Sequence, residues 1–563
     1  MPDRIDRRSF LARGALGAAG VATAGMGAGG LLAACSSSTP TGTKSTGSRD
    51  GITSATPKTG GSLVFGVEAE EQSFDPATGR FDETGVLYAR TVFDPLTIIA
   101  EDGSVQPYLA ESVTPNEDYS TWTIGVRPGV LFHDGTPCDA AAIAGSLEHF
   151  LTGELGITLT PSLTKPTTKA ISVTNPTTVT ITLNQPWVPF PTYLTGGIGG
   201  QGGYIIAPSM IANKNGGMQP VGTGPFIFDD WVVNDHFTAK RNPHYWRTGT
   251  PYLDEITFRP IVDADSRASA LEAGNIDIMH TDVPEVILQF RDNSSYNYID
   301  DSQHVVGEPD MNFIMCNLSM PPVDNIKVRQ AMAMAISTTD YSRIIDKNVN
   351  APTNQPFIAG TAYYTPDSGY PKFNPTAAAA LVKEVETEQG KPVSFTLAST
   401  TSASSIQAAE YIQNRLQAVG MHVTLVQLQQ ADEINDALAG KFQTVGWRQF
   451  AAVDPDLNYL WWSPTEIFGA LNPNFAQNKD PQMEVLLQKG RRSTDPSVRA
   501  QAYQQIAQRL NQDLPYIWND RATWSIVSAS KVQNFNNPTT PAGGKAYGMI
   551  VGTIWTPQIW LDT

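Results

Sequence analysis

The spacing of apolar residues along this chain alternates between two periods, which predicts a mixed α/β protein. An apolar run between glycines at 60–67 predicts a buried strand. Strict alternation of apolar and polar residues over 122–126 predicts a half-buried strand, whereas apolar residues three or four positions apart predict helices over 86–93 and 140–150. Strands and helices therefore follow one another from the start of the folded part.

The second half of the chain shows a strand, a helix and a second strand in succession. Apolar residues on one face predict strands over 391–399 and 423–428. The residues between them predict a helix, which we expect Ser405 to cap and Gly420 to end. Two strands joined by a helix of this length are typical of a parallel crossover, so we predict an α/β lobe here.

Two more helices are expected from their capping residues. Asp324 precedes apolar residues at 328–336 that are spaced for one buried face, so we expect it to cap a helix. Asp495 stands directly before a proline, an arrangement typical of a helix start. By contrast, the middle third, 96–219, is rich in strands and turns and lacks the strand–helix alternation.

The length and charge of the chain narrow the classes of protein it can be. A chain of 563 residues is too long for one hydrophobic core, so we expect two or three lobes. The 41% hydrophobic and 17% charged residues fit a soluble globular protein. A net charge of −17 disfavours binding to nucleic acid, which needs a basic surface. The seven histidines lack metal-ligand spacing, and no metal or cofactor is expected.

The first 34 residues have the layout of an export signal. Arg7 and Arg8 precede an uncharged run over 14–34, which ends in small residues directly before Cys35. A cysteine at this place resembles the cleavage site of bacterial lipoproteins, and the paired arginines resemble a twin-arginine leader. We therefore expect a signal peptide over 1–34, lipidation of Cys35 and a flexible tether over 35–58.

A transmembrane anchor is the alternative for the same run. Its Gly and Ala residues fill hydrocarbon poorly and no cationic stop follows Cys35, so the lipoprotein interpretation is favoured. The two remaining cysteines, Cys138 and Cys316, are equally compatible with one disulfide and with two buried thiols.

A series of short strings carries a resemblance to one family. The string Arg-Pro-Gly-Val-Leu-Phe-His-Asp-Gly-Thr-Pro at 127–137 resembles the hallmark of family 5 solute-binding proteins, the dipeptide, oligopeptide and nickel receptors of ABC importers. Further matching strings occur in the family's order at 60–61 with 74–76, 107–112, 222–226, 241–246, 273–277 and 328–331. Together they cover nearly all of the chain after the leader.

The resemblance implies a fold and a domain organisation. The fold is an α/β, two-lobed periplasmic-binding-protein fold (type II-like) with an extra domain inserted in the first lobe. The lobes would be joined by two crossing strands near 309–314 and 514–518. The expected ranges are 59–95, 220–310 and 514–563 for the first lobe, 96–219 for the inserted domain and 311–513 for the second lobe.

The segment 446–462 contains three tryptophans and a tyrosine. An aromatic wall with a few acids suits a cleft for a small molecule that is polar and partly apolar. The alternative is that the rings fill the core of the second lobe. Trp447 is equally compatible with both places, whereas Trp461 and Trp462 favour the core.

The resemblance also identifies a departure from the family. In its peptide receptors a tryptophan matching Trp447 opens this segment, and an aspartate three residues later pairs with the α-amine of the peptide. Phe450 occupies that position here. Because a buried ammonium without a carboxylate is costly, either Asp454 or Asp456 substitutes, or the ligand is a blocked peptide, an oligosaccharide or a metal chelate.

A second candidate segment is Phe81, Asp82 and Glu83. By its position after 74–76, it matches a family loop that faces the ligand from the first lobe; an exposed turn is the alternative. The predicted ligand-binding residues are Trp447, Phe450, Asp454, Asp456, Phe81, Asp82 and Glu83.

These observations predict a monomeric substrate-binding lipoprotein on the outer face of the cell membrane. Its lobes are expected to close over a peptide or similar oligomeric nutrient and to deliver it to the permease subunits of an ABC importer. We expect no enzymatic activity. A secreted hydrolase is the alternative from another class, but the sequence has no G-x-S-x-G or H-E-x-x-H motif. A surface adhesion module would need an exposed apolar patch in place of a cleft.

Overall fold

The computed structural model describes residues 49–159, 170–197, 199–302, 310–449, 452–467 and 472–563. The expected leader 1–34, the expected lipidation site Cys35 and the candidate Phe450 lie outside the described residues. These residues all fall in the compact unit Gly47–Thr563.

The strands of the described residues are numbered in chain order. They are β1 Ser62–Val67, β2 Thr97–Ile99, β3 Val105–Pro107, β4 Ala110–Pro115, β5 Thr121–Val126, β6 Ile171–Asn175, β7 Thr178–Thr182, β8 Phe226–Val232, β9 His236–Arg241, β10 Glu255–Pro260, β11 Ile278–Thr281, β12 Tyr296–Asp300, β13 Met311–Cys316, β14 Ala351–Pro352, β15 Ser394–Thr400, β16 His422–Leu428, β17 Thr444–Gln449, β18 Tyr516–Arg521, β19 Ser525–Ala529, β20 Val532–Gln533 and β21 Trp560–Leu561.

The α-helices of the same residues are numbered in the same way. They are α1 Glu83–Val92, α2 Ala140–Thr152, α3 Glu154–Leu159, α4 Pro208–Ala212, α5 Ala264–Glu272, α6 Pro284–Arg291, α7 Ile326–Ala335, α8 Thr338–Ile344, α9 Pro375–Gln389, α10 Ala403–Gln417, α11 Gln430–Leu438, α12 Tyr459–Trp462, α13 Pro481–Arg492 and α14 Pro496–Asp513. Short 3-10 turns occupy Phe190–Leu194, Gln201–Gly203, Gly216–Met218 and Pro455–Asn458.

A first sheet of seven strands has the order β12–β19–β11–β1–β10–β9–β8. Its central strand β1 runs parallel to both β10 and β11. Because side chains alternate across a strand, Leu63 and Phe65 pack with α1 on one face, while Val64 packs with α5 and α6 on the other. Burial on both faces explains the continuous apolar run that predicted this strand.

A second sheet of six strands has the order β14–β18–β13–β17–β15–β16. Strands β15 and β16 are parallel, with Leu397 beside Leu425, and α10 connects them. The crossover predicted from the sequence is therefore confirmed. Leu397 packs with α9 and α10 on one face of the sheet, and Ala398 belongs to a second core on the other face.

The helix caps differ in part from the predicted ones. Asn325, not Asp324, caps α7, and Ser402, not Ser405, caps α10; in each case the side chain accepts a hydrogen bond from a backbone N–H of the first turn. Neighbouring residues of equal capping ability make such shifts easy. The predicted cap Asp495 is confirmed, because its carboxylate accepts a hydrogen bond from the backbone two residues on at 2.8 Å.

A four-stranded sheet with the order β4–β5–β7–β6 lies between β3 and β8 along the chain. Its strand β5 buries Trp122, Ile124 and Val126 and leaves the alternate residues half-buried, as the alternation predicted. Ile143 and Leu147 of α2 pack into the same core. This middle part therefore has a core of its own, separate from those of the two larger sheets.

The chain passes from the first sheet to the second between β12 and β13, and returns between β18 and β19. Strands β13 and β18 pair antiparallel near the middle of the second sheet. Strand β18 thus pairs within the second sheet, although the predicted range 514–563 groups it with the first lobe. The predicted domain ranges remain a prediction.

Both described cysteines, Cys138 and Cys316, are buried free thiols that lie in different cores, so of the two alternatives the structure has the thiols and not the disulfide. Within the described ranges, no helix combines the length and the apolar character needed to cross a bilayer.

Candidate functional site

The candidate site lies where the carboxyl ends of strands from the two larger sheets face each other. Glu68 directly follows β1, and Asp282 directly follows the parallel neighbour β11. Because parallel neighbours end at the same edge of a sheet, these two carboxylates lie together, and this edge is where open α/β sheets bind ligands. Glu83, the first residue of α1, lies beside them.

A single guanidinium from the second sheet enters this acidic edge. Arg448 is carried by β17, next to Asn312 of β13. Its Nη2 lies 3.5 Å from Glu83 and 3.7 Å from Glu68, and its Nη1 donates a hydrogen bond to Asp282. Arg448 therefore links the second sheet to three carboxylates of the first.

Two further groups hold Arg448. Its Nε lies 3.0 Å from Oδ2 of Asp310, directly before β13, and its guanidinium carbon lies 4.6 Å from the centre of the Trp524 ring. The indole N–H of Trp524 donates a hydrogen bond of 3.1 Å to the same Asp310 oxygen. We refer to Glu68, Glu83, Asp282, Asp310, Arg448 and Trp524 as the Arg448 cluster.

The carboxylates of this cluster outnumber its cation. Burial, with repulsion by Asp282, raises the pKa of Glu68 to about 7. Burial raises the pKa of Asp310 to about 8 and raises that of Glu83 well above its usual value, although Arg448 opposes each shift. Arg448, with Arg267 also acting on Glu68, therefore does not keep all the carboxylates ionised near neutral pH, and the cluster has capacity for a further positive charge.

The predicted first-lobe segment falls partly in this cluster. Glu83 is a member of it, and Asp82 caps α1 by accepting a hydrogen bond from Gly85 N at 3.0 Å. Burial and repulsion by Asp82 raise the pKa of Glu71 well above its usual value. Phe81 instead lies in the core of the first sheet and is 4% exposed. The exposed-turn alternative thus does not describe this segment, whose three residues are all buried or half-buried.

The aromatic segment divides between a cavity and the core. Trp447 and Trp461 are half-buried and pack against Phe475 with ring centres 5.2 and 4.9 Å away. They line a small cavity of about 10 Å³ whose other lining residues are Phe313, Met315, Pro473, Phe475 and Tyr516. Trp462, by contrast, is 2% exposed and belongs to the core of the second sheet.

The two predicted acids of this segment lie in other ion pairs. Asp456 is fully buried, and its carboxylate accepts hydrogen bonds from Arg491 Nε at 2.9 Å and from Trp187 Nε1 at 2.6 Å. Asp454 pairs with Arg499 at 2.6 Å and accepts a hydrogen bond from the backbone N–H of Asp456. Their cations are thus Arg491 and Arg499 and not Arg448, and a ligand would have to replace these contacts to reach them.

The sequence prediction missed most of the Arg448 cluster. Arg448 itself lies within the aromatic segment, next to Trp447, and Glu68 directly follows a predicted strand. The rule that ligands bind beyond the carboxyl ends of parallel strands gave a signal for Glu68 and Asp282. Nothing in the sequence indicates which loops of the two lobes face each other, so Asp310 and Trp524 had no such signal.

The described residues contain no group of three or more His, Cys, Asp and Glu side chains placed to hold a metal ion. With carboxylates, one guanidinium and aromatic rings, the arrangement is suited to holding a charged organic group by ion pairing and hydrogen bonding.

Comparison with known proteins identifies the family. Residues 104–467 match the model described as bacterial extracellular solute-binding proteins, family 5 middle. The chain belongs to this family. The family and the two-lobed fold predicted from the sequence are thereby confirmed, with the seven-stranded sheet in the first lobe and the six-stranded sheet in the second.

Individual relatives are similar over most of their length. The glutathione-binding protein GsiB of Pectobacterium atrosepticum is 26% identical over 488 residues, which cover 83% of this chain and 89% of GsiB. The periplasmic binding protein DppA from Helicobacter pylori in complex with the peptide STSA superimposes with a TM-score of 0.77 at 22% identity, over 90% of this chain and 99% of DppA. NikZ from Campylobacter jejuni in complex with Ni(L-His) superimposes with a TM-score of 0.73 at 21% identity, over 88% of this chain and 98% of NikZ.

The function predicted from the sequence, a substrate-binding protein of an ABC importer, is confirmed at the level of the family. Proteins of this family are binding proteins and not enzymes, and they work on the periplasmic or extracellular side of the membrane.

Proposed function

We propose that this protein captures a peptide, or a similar oligomeric nutrient, that presents a positively charged group to the Arg448 cluster. The observation that carries the proposal is Arg448 itself, which reaches from β17 of the second lobe to Glu68, Glu83 and Asp282 of the first. A guanidinium is thus already held at the place where the two lobes meet.

The position of this cluster supports a role in closure. Three of its carboxylates belong to the first lobe, whereas Arg448 belongs to the second, so their contacts form only when the lobes are together. A ligand shifts a hinged protein toward the closed state only by interacting better with that state. A ligand cation between the lobes does so, because it neutralises carboxylates that Arg448 alone leaves in excess.

The cluster also offers carboxylates in place of the family aspartate that Phe450 replaces. Family peptide receptors place an aspartate at that position for the α-amine, and Asp454 and Asp456 are occupied by Arg499 and Arg491. We propose that Glu83 and Asp282, from the opposite lobe, receive the amine in their place. Trp447 and the cavity beside it supply an apolar surface for the adjoining part of the ligand.

The anchoring of the protein rests on the sequence of its first 35 residues. We propose export by the twin-arginine route, cleavage before Cys35 and acylation of its thiol, so that a monomeric receptor stays on the outer face of the cell membrane beside its permease. Intact-mass measurement of protein from the membrane fraction tests this. Acyl mass on a chain that begins at Cys35 supports it, and a soluble full-length chain contradicts it.

Ligand binding is tested with one tetrapeptide pool in two forms, with free amines and N-acetylated, using native mass spectrometry. We expect the free pool to bind and the acetylated pool to bind at least about tenfold more weakly, because removing the cation leaves buried carboxylates unpaired. Glu83→Gln is expected to remove this preference, and Glu111→Gln, an exposed acid of the inserted domain, is expected to keep it.

Several outcomes would contradict the proposal. Equal binding of the free and acetylated pools would reject recognition of a cation. Binding of a metal chelate or an oligosaccharide but of no peptide would replace the proposed ligand class while leaving the transport function in place.

A further inference from the structure

A second cavity lies in the second lobe, away from the Arg448 cluster, between α11 and one face of the second sheet. It has a volume of about 120 Å³. Three neighbouring strands contribute apolar side chains to its wall: Ala398 of β15, Val426 and Leu428 of β16 and Val445 of β17, together with Phe442. Apart from its acidic end, the cavity is therefore suited to a hydrocarbon group.

One carboxylate of α11 lines this cavity without a partner. Glu433 is 6% exposed, and its Oε1 is buried with no hydrogen-bond partner among the described residues. Burial alone raises its pKa to about 8. Asp436 and Lys441 also line the cavity, but they are half-buried and exposed respectively, and no ion pair joins either to Glu433 within the described ranges.

An unpaired carboxylate is unusual at the position that Glu433 occupies on its helix. Glu433 and Ala437, one turn apart, are the buried residues of α11 and face the sheet. Asn435 lies on the opposite side, where it accepts a hydrogen bond from Arg80 of the first lobe, and Asp432 is exposed. A sheet-facing position is ordinarily apolar, because an unpaired buried carboxyl costs free energy. By contrast, the buried Asp456 and the half-buried Asp454 each have an arginine partner.

We propose that this cavity is a separate binding site for a small monovalent organic cation, a primary alkylammonium, with its ammonium on Glu433 and its alkyl chain along the apolar wall. The chemistry selects this class. An anion would be repelled by the Glu433 carboxylate. Ca²⁺ or Mg²⁺ would need several oxygen ligands, whereas the cavity offers one enclosed carboxylate. A neutral apolar molecule would leave Glu433 unpaired.

The proposal has a distinctive signature in proton release. At pH 7 a carboxyl with a pKa of about 8 is largely protonated. An ammonium in contact favours the ionised form, so binding must expel close to one proton per ligand. A purely apolar site, or adsorption to exposed acids that are already ionised, releases none.

The test is titration calorimetry of the intact chain with n-butylammonium at pH 7, repeated in buffers of different ionisation enthalpy. We expect saturable binding with a dissociation constant in about the millimolar range, as a ligand of this size permits, and release of nearly one proton. 1-Butanol is expected to bind at least about tenfold more weakly because it lacks the charge.

Variants separate this site from others. Glu433→Gln keeps the shape of the side chain and is expected to weaken n-butylammonium binding at least about tenfold and to abolish proton release. Asp432→Asn, an exposed acid of the same helix, is expected to bind like the unaltered protein. Ala398→Leu, which fills part of the cavity, is expected to block binding while retaining Glu433.

Absence of saturable binding, undiminished binding in Glu433→Gln, or binding without proton release would each overturn the proposal. Retention of peptide binding between the lobes by Glu433→Gln shows that such a failure concerns this cavity and not the transport function.

Discussion

Nη2 of Arg448, on a strand of the second lobe, lies 3.5 Å from Oε1 of Glu83, at the start of a helix of the first. Glu83 is 1% exposed, and Arg448 is a cation close enough to balance its charge. The contact therefore joins the lobes at a place where loss of Arg448 leaves buried carboxylates uncompensated.

Replacing Arg448 by methionine is expected to destabilise the closed protein. Without its guanidinium, the carboxylates at 68, 83, 282 and 310 must either take up protons or repel each other. We expect the free energy of unfolding at pH 7 to fall by about 2–4 kcal/mol, measured by chemical denaturation. We also expect a larger radius of gyration in solution scattering, because the lobes separate.

Arg448→Lys serves as the control, since it keeps the charge but cannot reach all four carboxylates at once, and an intermediate loss is expected. A stability within about 0.5 kcal/mol of the unaltered protein for Arg448→Met would contradict the assigned role.

Stability is expected to decrease as the pH rises from mildly acidic to mildly alkaline. Burial raises the pKa of Glu68, Asp301 and Asp520 to about 7 and that of Asp310 to about 8. A carboxyl with a raised pKa holds its proton more firmly when folded. Its stabilising effect is therefore lost as the pH passes from its unfolded value, about 4, through its folded value.

We expect at least about 2 kcal/mol less stability at pH about 8.5 than at pH about 5.5, measured by denaturant titration. Asp310→Asn should reduce the fall in stability with pH, because it removes one of the carboxyls with a raised pKa. His133 has the opposite effect at lower pH, since burial lowers its pKa to about 4 and it resists protonation when folded. A flat profile between the two pH values would show that these carboxyls are not protonated in the folded state.

The buried pair of Asp456 and Arg491 is expected to act on stability and not on ligand affinity. Asp456 and Arg491 expose 0% and 2% of their side chains. Asp456→Asn should therefore destabilise the protein by about 3–5 kcal/mol while the affinity for the tetrapeptide pool stays unchanged. The matched change Asp454→Asn, in a partly exposed pair, should cost less. A selective loss of affinity in either variant would restore the sequence-based prediction that these acids bind ligand.

Two tryptophans of one short segment are expected to behave differently. Trp462→Ala empties a core position and should cost about 3–5 kcal/mol of stability, seen as a lower melting temperature. Trp447→Ala removes a half-buried ring from the wall of the cavity, and should reduce ligand affinity more than stability. Equal effects of the two changes on stability and affinity would place both rings in the core.

The fold was predictable wherever local periodicity decides it. Leu397, Val423 and the residues of α10 carry their own strand and helix signals, and their crossover formed as expected. The exact cap was not predictable, because Ser402, Ser404 and Ser405 are close together and all can accept the bond. Cap position depends on where the preceding strand ends, which is set by pairing with distant residues.

The candidate site was predictable only in part, because it also depends on contacts between residues distant in the sequence. Glu83 and Trp447 followed from their places in recognisable segments. The Arg448 cluster gathers residues that are far apart in the chain, such as Glu68 and Asp310. A sequence shows that these residues are charged, but it does not show that their loops meet. Asp454 and Asp456 illustrate the converse, because acids close to Trp447 in the sequence pair with arginines of α13 and α14 instead.

The indole N–H of Trp187, in the middle part of the chain between β7 and β8, donates its hydrogen bond to Asp456 of the second lobe. This middle part therefore contacts the second lobe directly and is not an appendage of the first. A chimaera in which another sequence replaces this middle part must therefore supply a hydrogen-bond donor for the Asp456 carboxylate. Without one, a buried acceptor of the second lobe loses a partner although no residue of that lobe was changed.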